Sequence, residues 1–339
     1  MGLKKFEMAA AGHEGTLTNE NESLFFKPTN NKEVRFYSDL ETLREAEDPQ
    51  CFSAEESTTV SLCDWAPVFV GTMQEGINGD PTQITNYSHF HESAHSPALD
   101  QSTTKSYIVL ENLLQGYKSP NVLDIKLGKT LYDQHASQEK KARLEAVSNS
   151  TTSGLLGARI CGMKIQKHHD LSALDASHFD LDTTNNYYSI NKFYGRSLRT
   201  ESDLLDAFKF FFQTNTLSEE LVANLLQSFL TRLQLLYNTL LDTPVRLISS
   251  SLLFIYETDS KRWSNSEDVI LDDDFAVEGS EDEEQEAEED EEDRAQRSLS
   301  KLKLIDYAHS EFVQQKERYD ENVLFGIESL INILKKMQL

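Results

Sequence analysis

Residues 120–128, Pro120-Asn121-Val122-Leu123-Asp124-Ile125-Lys126-Leu127-Gly128, decide how the rest of the chain is interpreted. The proline favours a turn that ends the preceding segment, and the β-branched and aliphatic residues after it favour a short strand. Because side chains alternate along a strand, we expect Asp124, Lys126 and Gly128 on one face. A glycine there leaves room for a ligand or another backbone to approach. The simpler alternative is a surface strand that carries one ion pair.

The spacing Pro-x-x-x-Asp-x-Lys-x-Gly resembles the signature of the inositol phosphate kinase family. The residues that follow resemble the family as well: Lys129-Thr130-Leu131-Tyr132-Asp133 and Ala136-Ser137-Gln138-Glu139-Lys140. Within the family, the fungal multikinases are the most similar, and the resemblance reaches both ends of the chain. It implies one α+β, two-lobed kinase domain over residues 1–339. The small N-lobe, a sheet plus a helix, would span about 1–112, and the larger C-lobe with an inositol-binding segment about 113–339.

Composition limits the class of protein. The chain has 339 residues, 38% of them apolar, which is enough for one large two-lobed domain or two ordinary ones. No apolar run approaches the length of a membrane span, and the N-terminus has no apolar signal core. The three scattered cysteines, Cys51, Cys63 and Cys161, suit a reducing compartment. We expect a monomer in the nucleus and cytoplasm.

The formal net charge of −25 is concentrated in one tract. Residues 272–293 hold fifteen acidic residues and no basic one, and removing these fifteen charges leaves −10. This balance argues against direct binding of nucleic acid or anionic membranes. The tract repels itself and has almost no apolar content, so it is expected to loop out of the domain. It is either a solvating insertion or a contact for basic nuclear partners; the resemblance to fungal multikinases implies association with a transcription-factor complex.

Three segments, residues 74–104, 168–186 and 272–298, are predicted to be disordered insertions. The first contains His89, His91 and His95, whose spacing suggests a metal site. No cysteine or carboxylate pattern completes such a site, and polar loops often carry histidines, so we assign no metal there.

The N-terminal third has the outline of a kinase upper lobe. A strand carries Lys27, and a helix that begins near Glu33 runs to about Glu47. A kinase needs a lysine to neutralise ATP phosphates and a carboxylate to hold that lysine. A Lys–Glu surface pair is commoner, but the family has this lysine and this Glu-x-x-Phe-Tyr. In the apolar strand at 107–114, Glu111 and Leu113 stand where the family binds adenine; the alternative is an ordinary core strand.

The resemblance also assigns the reacting groups. Asp306, in Ile305-Asp306-Tyr307-Ala308-His309, matches the family's metal-site segment and would hold Mg²⁺ beside ATP, although phenylalanine is commoner than Tyr307. Lys126 would touch both the transferred phosphate and the accepting hydroxyl. Asp124 would hold the ribose hydroxyls rather than act as a strong base, because a loose transition state needs little early proton removal.

The acceptor is expected to be strongly anionic. Between residues 124 and 167, eight lysines and arginines face only four acidic residues, which reverses the charge of the chain locally. By resemblance, the contacts to substrate phosphates are Lys126, Lys140, Lys164, Lys192 and His309. The alternative for Lys140 and its neighbour Lys141 is a solvated helix face.

Other functions fit less well. Gly128-Lys129-Thr130 imitates the end of a P-loop, but position 123 is leucine where that motif needs glycine. No His-Arg-Asp or Asp-Phe-Gly run supports a protein kinase. We therefore expect an ATP- and Mg²⁺-dependent kinase that phosphorylates inositol trisphosphate and tetrakisphosphate. The alternative is a non-catalytic nuclear scaffold that acts through the acidic tract.

Overall fold

The computed structural model describes residues 2–11, 15–46, 60–74, 105–167, 170–172, 174–263, 299–313 and 319–338. The insertion predicted at 74–104, with its three histidines, lies outside these ranges apart from Gln74. The acidic tract and the rest of the insertion predicted at 272–298 also lie outside them.

An antiparallel sheet of five strands forms the N-terminal unit, in the order β1-β2-β3-β5-β4. Its strands are β1 Leu3–Lys5, β2 Leu17–Asn19, β3 Leu24–Pro28, β4 Phe69–Gln74 and β5 Ser106–Glu111. Two helices, α1 Asn31–Ala46 and α2 Leu62–Trp65, accompany it. In α1, Phe36, Tyr37 and Leu40 are buried, as expected for a helix that packs one apolar face on a core.

A second antiparallel sheet has six strands in the order β12-β11-β6-β7-β9-β8. Its strands are β6 Pro120–Leu127, β7 Ala158–Gln166, β8 Phe179–Asp182, β9 Tyr187–Ile190, β11 Ser251–Glu257 and β12 Ser300–Ile305. A separate pair joins β10 Val245–Arg246 to β13 Glu311–Phe312. Strand β6, which carries the signature, lies between β11 and β7 and is therefore held on both edges.

Helices complete the larger unit. They are α3 Gln138–Asn149, α4 Thr152–Leu156, α5 Lys192–Ser197, α6 Glu201–Phe212, α7 Glu219–Asp242, α8 Ser260–Trp263 and α9 Glu321–Met337. Ser218 and Asp320 cap α7 and α9, each with a side-chain oxygen that accepts backbone N–H bonds. The arrangement of two antiparallel sheets with helices confirms the predicted α+β architecture. In the described regions, no helix is both long and apolar enough to cross a membrane.

Two local expectations are wrong. Residues 168–186, predicted as a disordered insertion, include a 3-10 turn at Ala176–His178 and strand β8, which pairs with β9 at the sheet edge. The polar composition hid this strand because an edge strand with an exposed face needs few apolar residues. Gly128 does not continue the face of Asp124 and Lys126. It follows the end of β6 with φ +92°, and the Asn322 side chain approaches it.

Candidate active site

Lys27 forms one ion pair within the N-terminal unit and another with the larger unit. Its Nζ donates to Glu33 Oε1 of α1 at 2.6 Å and to Asp306 Oδ1, beyond β12, at 2.6 Å. Its side chain is only 9% exposed. Burial alone would lower the pKa of the ammonium group, but the carboxylates of Asp306 and Glu33 outweigh it and raise that pKa. Lys27 is therefore a fixed positive charge at the cleft, as predicted for the pair Lys27–Glu33.

Asp306 is held in an uncommon backbone conformation at the end of β12. Its φ of +66° lies in the left-handed region, which Asp tolerates better than most residues. The next residue, Tyr307, is buried and stacks on Phe36, with ring centroids 4.5 Å apart. Tyr307 donates its backbone N–H to Glu33 at 3.2 Å and its hydroxyl to the Leu304 carbonyl at 3.0 Å. The structure therefore accommodates tyrosine in place of the family's phenylalanine. The contacts of Tyr307 also hold the turn that positions Asp306.

The two charged residues of the signature also reach this cluster. Lys126 Nζ donates to the Ser249 carbonyl at 2.6 Å and lies 3.7 Å from Asp306 Oδ2. Asp124 is 5% exposed, and its Oδ1 has no hydrogen-bond partner among the described residues. Burial and the nearby charge of Asp306 raise the pKa of Asp124 to about 6, although Lys126 acts in the opposite direction.

An apolar cleft opens beside the cluster. Its walls include Phe25, Leu110, Val122, Leu253 and Ile305, together with N-terminal residues that begin at Phe6. The two residues predicted to bind adenine, Glu111 and Leu113, lie in the same lining as Lys27, Asp124 and Asp306. An apolar slot with charged groups at one end suits a flat base that carries a charged tail.

The expected metal ion and nucleotide fit these residues. No group of three or more histidine, cysteine or acidic side chains in the described ranges forms a complete metal cage. Mg²⁺ is commonly bound through one or two carboxylates plus substrate phosphates, so a site of this kind needs only Asp306 and a neighbour. The buried, unsatisfied Oδ1 of Asp124, next to the negative charge of Asp306, supports the presence of a cation or hydroxyl donor there.

The predicted phosphate contacts are spread more widely. Lys164 lies on β7, is 4% exposed, and binds Asp182 and Ser189 at 3.2 and 2.9 Å. His309 follows Asp306 by three residues and contacts Asp133. Lys140 is half-buried in the first turn of α3, and Lys192 is exposed at the start of α5. Within the described residues, no hydrogen bond or ion pair joins Lys140 or Lys192 to the Lys27–Asp306 cluster.

Sequence reasoning missed two groups at the site. The Ser249 carbonyl receives Lys126, and Ser249 has φ +58°, but a backbone carbonyl leaves no signal in a residue pattern. Asp133 contacts His309 and Lys32. The signal for Asp133 was available, because it belongs to the motif that extends the signature.

Known proteins are similar to this chain over most of its length. A family model described as inositol polyphosphate kinase matches residues 107–335. The inositol polyphosphate multikinase of Saccharomyces cerevisiae is 41% identical, with 97% of each chain covered. That of Schizosaccharomyces pombe is 32% identical, with 98% of this chain and 97% of that one covered. A crystal structure of the inositol phosphate multikinase from S. cerevisiae, in complex with ADP and Mn²⁺, aligns with a TM-score of 0.69 and 38% identity. It covers 94% of this chain and 100% of the crystallised one.

Proposed function

The chain belongs to the inositol polyphosphate kinase family, and from this premise we propose that its cleft transfers the γ-phosphate of ATP to hydroxyls of inositol trisphosphate and inositol tetrakisphosphate. The observation that supports the proposal is the convergence of Lys27, Lys126, Asp124 and Asp306 on one cleft. Three of these residues are joined by contacts of 2.6 and 3.7 Å. Phosphoryl transfer requires positioning and charge neutralisation more than covalent help from the protein, and this cluster can provide both.

At the nucleotide end, the apolar lining near Glu111 and Leu113 would hold adenine, and Asp124 would accept the ribose hydroxyls through its unsatisfied oxygen. Lys27 would turn its ammonium group from Asp306 to a phosphate oxygen, with Glu33 keeping it in place. Asp306 would ligate Mg²⁺, which neutralises phosphate charge when bound.

At the acceptor end, Lys126 is the group nearest the junction of the two substrates. It would stabilise the transferred phosphate and orient the accepting hydroxyl, and its pKa is raised by Asp306 despite opposing burial, so it stays charged. We assign the other phosphates of the acceptor to Lys140, Lys164, Lys192 and His309. Lys164 would have to share its charge between Asp182 and the ligand.

The test is a product analysis. The purified protein is incubated with Mg²⁺, radiolabelled ATP and inositol trisphosphate, with a protein acceptor in a parallel reaction, and the products are separated by anion exchange. We expect label only in higher inositol phosphates. Lys126→Met and Asp306→Asn should each lower kcat by about 100-fold or more, the effect of removing one transition-state contact.

A control variant tests whether any surface lysine matters equally. Lys336, on α9, forms an exposed ion pair with Glu201 at the start of α6. Lys336→Met removes this pair and should leave turnover unchanged. Labelled protein, or full turnover in Lys126→Met, would contradict the proposed chemistry.

We also propose that the protein works in the nucleus as well as the cytoplasm, with the acidic tract contacting basic nuclear partners. The fifteen acidic residues at 272–293 support this, because such a charge density attracts basic surfaces. Tagged protein that contains residues 272–293 should recover more nuclear proteins than tagged protein that lacks them, and added salt should reduce this difference. Equal recovery would leave the tract as a solvating insertion.

A further inference from the structure

The motif that extends the signature ends in Asp133, which the proposed chemistry does not use. Its carboxylate contacts two basic side chains from different parts of the chain. His309 Nδ1 lies 2.8 Å from Oδ2, and Lys32 Nζ, at the start of α1, lies 3.5 Å from the same oxygen. The distance to His309 is that of a good hydrogen bond. The ion pair with Lys32 is weaker, because the Lys32 side chain is 56% exposed and solvent screens its charge.

Asp133 is itself fixed by its neighbours. Its Oδ1 accepts the backbone N–H of His135 at 3.0 Å, and its carbonyl accepts that of Ala136 at 3.2 Å. Its side chain is only 15% exposed. Burial opposes ionisation, but the bond from His309 and the charge of Lys32 outweigh it and lower the pKa of Asp133. An ionised carboxylate can only accept, so His309 Nδ1 must be the donor.

This contact determines which nitrogen of His309 is left for a ligand. When Nδ1 carries a proton bound to a carboxylate, Nε2 is the free position on the ring. The imidazole is also held in one orientation, because its partner is tied to the backbone. His309 remains 32% exposed, so a ligand can reach it.

The pair borders the Lys126 site. Lys126 donates to the Ser249 carbonyl at 2.6 Å, and the Ser249 hydroxyl donates to the Leu131 carbonyl at 2.9 Å, two residues before Asp133. From the other side, His309 is three residues beyond Asp306 in the turn closed by the bond from Ser310 N to the Tyr307 carbonyl, at 2.9 Å. Asp133 and His309 therefore lie on the two chain segments that are linked to Lys126 and Asp306.

We propose that Asp133 is a positioning residue that holds His309 through Nδ1, so that Nε2 faces a phosphate or hydroxyl of the inositol phosphate acceptor. This inference rests on the proposed function, because it concerns the acceptor of that reaction. It adds a role for Asp133, which acts through His309 and does not itself touch the substrate.

A double-mutant cycle tests the coupling. Asp133→Ala should lower kcat/KM for inositol trisphosphate about tenfold, within the range of coupling between contacting residues, with KM for ATP changed less than twofold. In a His309→Ala background, the same change should have an effect below twofold, because there is no ring left to position. Asp133→Asn keeps an oxygen that can accept from Nδ1 and should recover much of the loss. Equal losses from Asp133→Ala in both backgrounds, or no loss in either, would overturn the positioning role.

A matched control removes a different carboxylate of the same segment. Glu145 on α3 accepts the Tyr132 hydroxyl at 2.5 Å and is exposed, so Glu145→Gln should leave kcat/KM for the acceptor unchanged. A tenfold loss in Glu145→Gln would show that any disturbance of this segment slows the reaction, which contradicts a specific role for Asp133.

The tautomer of His309 gives a readout without turnover. In ¹⁵N spectra of the whole protein, with the signal assigned by its loss in His309→Gln, we expect Nδ1 to be protonated in the wild type and the tautomers to mix in Asp133→Ala. A wild-type ring without a proton on Nδ1 would overturn the positioning role. The expected tautomer in a protein that shows no phosphorylation of inositol trisphosphate would instead overturn the proposed function, and the role of Asp133 with it.

Discussion

At the scale of single residues, the cleft balances its own charges. Lys27 and Lys126 both lie against Asp306, and Glu33 holds Lys27 from behind. The chemistry of these residue types is visible in the sequence, since a lysine, a carboxylate and a strand signature suggest a phosphate site. Their partners are less predictable, because Lys27 and Asp306 are 279 positions apart and only the folded chain brings them together.

Asp306 has two roles that substitution can separate. Its carboxylate is required for the reaction, whereas its φ of +66° demands a residue that tolerates the left-handed region. Asp306→Asn and Asp306→Ala should both lose turnover, but Asn adopts this conformation more easily than Ala. We expect Asp306→Ala to be less stable than Asp306→Asn by about 1 kcal/mol in urea denaturation. Equal stabilities would show that the backbone conformation carries no cost.

Asp124 should give the protein a distinctive pH dependence. Its pKa is raised to about 6 in the folded protein, above its ordinary 3.8, so the folded state binds the proton more tightly than the unfolded state. Its contribution to stability therefore grows as pH falls from about 6 towards 4, and is unfavourable above pH 6, where the buried carboxylate is ionised. In metal- and nucleotide-free buffer, the free energy of unfolding of the wild type minus that of Asp124→Asn should be larger at pH 5 than at pH 7. The opposite order would mean that Asp124 is stabilised as a carboxylate.

At the scale of elements, the turn after β6 is fixed by a helix that is distant in sequence. Asn322, in the first turn of α9, accepts the backbone N–H groups of Lys129 and Thr130 at 2.7 and 2.8 Å and donates to the Thr130 carbonyl at 3.1 Å. Gly128 allows this approach, since a Cβ there would lie 2.4 Å from Asn322 Nδ2. The strand was predictable from its apolar residues, whereas the reason for its glycine was not, because the partner lies almost 200 residues away.

Gly128→Ala should thus be costly for two reasons, the φ of +92° and the contact with Asn322. The backbone term alone is about 1–2 kcal/mol. In an Asn322→Ala background the steric term disappears, so Gly128→Ala should cost about 1 kcal/mol less there than in the wild type, measured by urea denaturation. If the effects of Gly128→Ala and Asn322→Ala on the free energy of unfolding were additive, the Asn322 side chain would move aside without strain.

The sheet edge shows where element prediction failed. Strand β8 is four residues long and flanked by polar turns, and its pairing with β9 is decided by tertiary contacts rather than by composition. The long helices were easier to predict, because α7 and α9 carry strong apolar stripes and recognisable caps at Ser218 and Asp320.

At the scale of the whole molecule, the ion pair between Lys27 of β3 and Asp306, which follows β12, joins the N-terminal unit to the larger one across the cleft. A ligand that spans the cleft should therefore stabilise both units together. Mg·ADP at 100 times its Kd should raise the free energy of unfolding by about 2.7 kcal/mol, seen as a Tm higher by a few degrees. Lys27→Met and Asp306→Asn should lose most of this shift, and Lys336→Met should keep it. An unchanged shift in all three variants would place the nucleotide elsewhere.

The overall architecture could be predicted because the family resemblance implies it, whereas the signature alone predicted a short strand and not its place between β11 and β7. Sequence reasoning also brought together Lys27, Asp124, Lys126 and Asp306 as a cluster. It could not predict that Lys164 would bind Asp182, because that contact arises from the pairing of β9 with β7 and β8.

The pairing of β11 with β12 has a consequence for how such a protein can diversify. These strands match residue for residue from Ser251 opposite Ile305 to Tyr256 opposite Ser300, yet 42 residues separate Glu257 from Ser300 along the chain. Doubling the length of a connection between two paired strands costs only about 0.6 kcal/mol, so the pairing of β11 with β12 is compatible with changes of length between Trp263 and Leu299. Segments that direct localisation, accept modification or bind a partner can be inserted there while Asp306, directly after β12, keeps its position.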